Sequence, residues 1–196
     1  MTVGISWILE PYAVDCLTFV RGIGLTDLAN RLHPGAGGRL PLMSTEEARE
    51  LIESSQTQRI ALLGQSGGWA FAVEYGDAVA SAPHGMEQLS AGGVEAVSFH
   101  LMPWEPPSVF TYYKNGVKVC QFGLGEESRR WGVNPDLLVD RLSAAGVLHS
   151  GGSSTQELGG DQHATTSLQV ITDFFEISLR RSQLEESRLS AVDYRQ

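Results

Sequence analysis

Residues 64–68, Gly64-Gln65-Ser66-Gly67-Gly68, match G-x-S-x-G. In hydrolases that pattern holds a nucleophilic serine on a sharp turn from a strand into a helix. The residues that follow here do not read as a helix. Trp69, Phe71, Val73 and Tyr75 alternate with Ala70, Ala72 and Glu74, the period of two that marks a half-buried strand. A hairpin turn at Ser66-Gly67-Gly68 explains the serine and the glycines together. A hydrolase built on Ser66 is therefore the remotest of the functional readings.

The other reactive side chains are scattered. His33, His84, His100, His149 and His163 show no H-E-x-x-H or i, i+4 spacing, so no metal site is predicted. Cys16 and Cys120 form no C-x-x-C pair. They read as buried free thiols of a reducing compartment. The acidic pairs Glu46-Glu47, Glu126-Glu127 and Glu185-Glu186 fall at helix starts or in polar loops. General acid catalysis needs a carboxyl whose pKa is raised, usually by burial, and these pairs read as solvated. Gly22-Ile23-Gly24 and Gly35-Ala36-Gly37-Gly38 fit neither dinucleotide nor P-loop spacing. No catalytic residue, cofactor or metal is assigned.

Two segments suit recognition instead. Met102-Pro103-Trp104-Glu105-Pro106-Pro107 sets a tryptophan in a rigid loop, where it loses little entropy on binding. The alternative is that Trp104 folds back over the sheet. Arg129-Arg130-Trp131-Gly132 places two adjacent arginines on an acidic chain. They either take up an anion or pair with acidic residues of this chain, and pairing is the expectation. Trp104, Glu105, Arg129 and Arg130 are thus the candidate binding residues.

The elements that position these residues follow from periodicity. Strands are expected at 16–20, 59–64, 69–75, 94–102, 109–114 and 117–122. Asn115-Gly116 joins the last two, a type I′ signature. Helices are expected at 26–32 and at 45–54, the second behind a Ser44/Glu47 capping box. A third runs from Asn134-Pro135 to about residue 145, stopped by Gly146. Strands cluster and do not alternate with helices, which indicates an α+β fold. The expected architecture is a five- to six-stranded antiparallel sheet, with helices over one face and around the edges. Residues 1–148 form one domain in this reading. Residues 149–167 are a flexible Gly/Ser linker. Residues 168–196 carry a C-terminal helix, with Leu168, Ile171, Phe175 and Leu179 on one face, and a charged tail that extends it or frays.

The 196 residues carry 23 acidic and 14 basic side chains, a net charge of −9. Phosphate neutralisation by Lys and Arg drives nucleic-acid binding, so nucleic acid is not an expected partner. A basic protein surface would be attracted. No window approaches the ~18 apolar residues of a membrane helix, and residues 1–10 lack the features of a signal peptide. The expectation is a cytoplasmic protein without a membrane partner, with homo-oligomerisation open.

Several segments together resemble a family of uncharacterised domains found in actinobacteria. They are Trp7-Ile8-Leu9, Cys16-Leu17-Thr18-Phe19-Val20-Arg21-Gly22, Gly67-Gly68-Trp69-Ala70-Phe71-Ala72-Val73-Glu74, Leu89-Ser90-Ala91-Gly92-Gly93 and Arg129-Arg130-Trp131-Gly132. The resemblance spans most of residues 5–180 and implies no activity, so no residue inherits a role from it. The functional expectation is a non-enzymatic protein-binding module, of the kind met among immunity, conflict-system or regulatory accessory proteins by fold-level analogy. The alternative is a small-molecule ligand-binding protein or enzyme, its site between the sheet and the glycine-rich loops.

Overall fold

A computed structural model describes residues 4–10, 13–36, 38, 40–82, 84–102, 106–149 and 160–194. In it the β-branched and aromatic runs pair into one antiparallel sheet. Its strands are β1 (Cys16–Arg21), β2 (Leu42–Met43), β3 (Arg59–Ser66), β4 (Trp69–Gly76), β5 (Glu95–His100), β6 (Val109–Lys114), β7 (Val117–Gly123), β8 (Arg130–Trp131) and β9 (Leu189–Asp193). Their order across the sheet is β2-β9-β3-β4-β1-β5-β6-β7-β8.

The sheet therefore has nine strands, not five to six. The three extra strands have a common physical origin. β2 and β8 are two residues long, too short to show a period. β9 lies in the charged tail expected to be helical or frayed. Its alignment against β3, Ile60 opposite Asp193 through Leu63 opposite Ser190, supplies the hydrogen bonds that local propensity does not announce.

The helices are α1 (Leu25–Leu32), α2 (Thr45–Glu53), α3 (Gly85–Ser90), α4 (Val139–Ala144), α5 (Gly160–Phe175) and α6 (Arg181–Glu185). The Ser44 capping box is formed, with Glu47 N donating to Ser44 Oγ at 3.2 Å and Ser44 N donating to Glu47 Oε2 at 2.7 Å. α4 starts later than Asn134-Pro135. Asn134 N donates instead to Val119 O of β7 at 2.9 Å, which ties this segment to the sheet before the helix begins. Residues 150–159 of the expected linker lie outside the described residues, and α5 begins at Gly160, inside the remainder of it.

Helices cover both faces of the sheet, against the expectation of one. On the first face Leu17, Phe19, Leu62, Trp69, Phe71, Val97, Phe99, Phe110 and Phe122 pack with Leu142 of α4, Leu168, Ile171 and Phe175 of α5, and Leu184 of α6. The aromatic rings meet at off-parallel angles, as at Phe110–Phe122, 4.9 Å between centroids, a favoured geometry. On the second face small side chains (Ala61, Ala70, Ala72, Ala96) meet Leu28 and Leu32 of α1 and Met86 and Leu89 of α3. The strand β4, read as half-buried, is covered on both sides.

Candidate functional site

The two regions that bear on function are the β7–β8 edge of the sheet and the polar part of its second face. The edge is built by a hairpin and a return. Asn115 and Gly116 turn at φ +51° and +77°, both positive as a type I′ turn requires. β8 then pairs with β7 through Gln121 opposite Trp131 and Phe122 opposite Arg130. Beyond it Val133 N donates to Lys118 O at 3.1 Å. Gly132 makes this approach possible. Its φ is +129°, and a Cβ there would lie 2.2 Å from Val119 O.

The backbone of this return is thus tied to β7 while its apolar side chains are not covered. Trp131 is 56% exposed, Val133 73% and Val117 47%. Monomers seldom leave adjacent large apolar side chains in water without a use for them. Arg130 Nε donates to Asp136 Oδ1 at 2.7 Å, and Arg129 lies 3.6 Å from Glu126. Arg130 braces the return from β8 to α4. Arg129 and Glu126 are both exposed, a pairing worth little to stability. Behind the edge, Glu127 is buried. It accepts from Gly125 N at 2.6 Å and from Ser167 Oγ of α5, so the loop before β8 is anchored to the last long helix.

On the second face, Cys16, Thr18 and Ser98 form a buried row. Cys16 Sγ lies 3.3 Å from Ser98 Oγ, and Thr18 Oγ1 lies 3.0 Å from it. Burial and the nearby Glu74 carboxylate push the Cys16 thiol up to about 12. It stays protonated and is no nucleophile. Burial likewise raises Glu74 to about 7, against the pull of the Val79 and Ala80 amides and the Arg59 charge. Val79 N donates to Glu74 Oε2 at 2.6 Å. The carboxyl pins the short turn Val79–Ser81 onto the sheet, and the same turn closes it off from solvent.

Of the candidate binding residues, Arg129 and Arg130 stand at the β8 edge, while Trp104 and Glu105 lie outside the described residues. Ser66 ends β3 opposite Trp69 of β4, in a hairpin turned by Gly67 and Gly68 at φ +58° and +85°. Gly64 of the same motif answers to packing, since a Cβ would meet the Phe71 ring at 2.3 Å. Among the described residues no three His, Cys, Asp or Glu side chains converge as metal ligands. Sequence reasoning passed over Trp131 and Glu74. The first was grouped with its arginines. The second sat on what period-two alternation marks as the outer face.

The model of a family of unknown function, DUF6461, matches residues 7–172, and the chain belongs to that family. No curated protein and no solved structure matches it.

Proposed function

We propose that this DUF6461 member is a non-enzymatic protein-binding module that presents the β7–β8 edge to another protein. One observation carries the reading: Trp131, Val133 and Val117 are exposed along a single, braced edge. Trp is enriched among the residues that dominate binding energy, and a rigid frame reduces the entropy lost on association. The excess of acidic residues favours a partner with a basic surface around its apolar contact. Trp131→Ala weakens binding of the isolated partner by about 2 kcal/mol or more, roughly 30-fold, as read by titration calorimetry. Tm changes little, because more than half of the residue is already in water. A large fall in Tm with unchanged affinity would make Trp131 a structural residue and remove the assignment.

A further inference from the structure

A second, separate surface has an open polar groove. At the end of the sheet where β3 begins and β4 ends, Ser55, Gln56, Thr57, Gln58, Arg59, Asp77 and Tyr194 line an open groove of about 490 Å³. That is the scale of small-molecule sites, ~300–1,000 Å³. Arg59 stands opposite Gly76 in the β3–β4 ladder, so Asp77 is one residue from its cross-strand neighbour. Asp77 N donates to Gln58 O at 3.0 Å, which fixes the two strand ends together.

The arginines of this chain are of two kinds: some meet carboxylates, while Arg31 donates to backbone carbonyls and Arg141 lies over the Phe174 ring, and Arg59 of this groove is of the second kind. Arg21, Arg129, Arg130, Arg181 and Arg188 each hold a carboxylate of this chain. Arg59, on a chain with acids in excess, has no ion-pair partner among the described residues. Its guanidinium lies 5.0 Å over the Tyr194 ring, and the His33 ring packs edge-on to that same ring at 5.1 Å. The cation is held by stacking, which leaves its N–H groups for a guest. Glu74 feels the Arg59 charge, but its oxygens are engaged by the Val79 and Ala80 amides. Asp77 is exposed and also lacks an ion-pair partner among the described residues.

We propose that the groove binds a small zwitterion of the amino-acid class, its carboxylate on Arg59 and its ammonium group on Asp77. The neighbouring Asp77 carboxylate disfavours a multiply charged anion such as phosphate at the same place. The amides of Gln56 and Gln58 and the Ser55 hydroxyl supply further polar contacts for the ligand.

The test is two-dimensional NMR of the ¹⁵N-labelled full chain, titrated with each of the common free amino acids and, separately, with acetate and inorganic phosphate. The expected result is a saturable shift of residues 55–59 and 77 by at least one amino acid, with no saturable shift from acetate or phosphate. Arg59→Gln and Asp77→Asn each weaken that binding by at least ~10-fold with Tm retained. The proposal is overturned by no saturable response to any amino acid. It is equally overturned by saturation with acetate or phosphate at similar concentration, or by affinity unchanged in both folded variants.

Discussion

At one edge of the sheet β2 exposes Leu42, 58% accessible. Arg188 attends it, donating to Leu42 O and to Glu47 Oε1, each at 3.0 Å. At the other edge β8 exposes Trp131, and its near arginine, Arg130, turns inward to Asp136. Both edge strands are two residues long, the length that blunts strand addition from another chain. The first edge exposes one apolar side chain, and the charged Arg188 is fixed beside it on the Leu42 carbonyl. The second leaves Trp131, Val133 and Val117 open. Shortening an edge strand therefore protects the backbone only, and the side chains determine whether an edge repels or accepts a partner.

Between the edges lies the interior that both depend on, and perturbing it should have the largest effect. Phe110 packs against Phe99, Phe122 and Phe175. Phe110→Ala costs about 3–5 kcal/mol of stability, measured by urea unfolding. A cost below that of an edge substitution would mean that the sheet centre is not the frame on which the edges stand.

The second face gives a pH signature. Glu74 is raised to about 7, so the folded state holds its proton more tightly than the unfolded chain does. The stabilisation is full below the ordinary glutamate value near 4.5 and is lost as pH rises through 7. At ~1.4 kcal/mol per pKa unit the change is roughly 3 kcal/mol. Subtracting the stability profile of Glu74→Gln from that of the wild type isolates it from carboxylates with the opposite sign, such as Glu47 and Glu95, whose values are lowered. A difference profile flat between pH 4 and 8 would show that Glu74 does not titrate there.

The smallest effect belongs to the guarded edge. Arg188→Ala shifts Tm by roughly 2 °C or less, since both partners of its ion pair are exposed. A shift above that of Phe110→Ala would reverse the ranking of edge and interior.

What was legible in the sequence follows from period and punctuation. The hairpin at Asn115-Gly116, the capping box of Ser44 and Glu47, and the six longer strands each carry their own local signal. β9 does not, because it is a strand only where β3 supplies its partner. The burial of Glu74 was hidden for a related reason. Alternation shows that a strand has two unlike faces, but a face of alanines with one carboxylate looks solvated until α1 and α3 are placed over the alanines and the Val79–Ser81 turn over Glu74. The edge site was half visible. Arg129-Arg130-Trp131-Gly132 stood out as a cluster, with the arginines taken as its active part. In the fold each arginine meets a carboxylate of its own chain and the tryptophan is left outside, a distinction that requires knowing where Glu126 and Asp136 fall.

The most direct test of the edge assignment is affinity capture from host lysate with three matched baits: wild type, Leu42→Ala and Trp131→Ala. The expected result is one stoichiometric protein retained by the wild type and by Leu42→Ala and lost from Trp131→Ala, with all three baits melting within a few degrees of one another. Retention of that protein by Trp131→Ala, or its loss from Leu42→Ala as well, would contradict it.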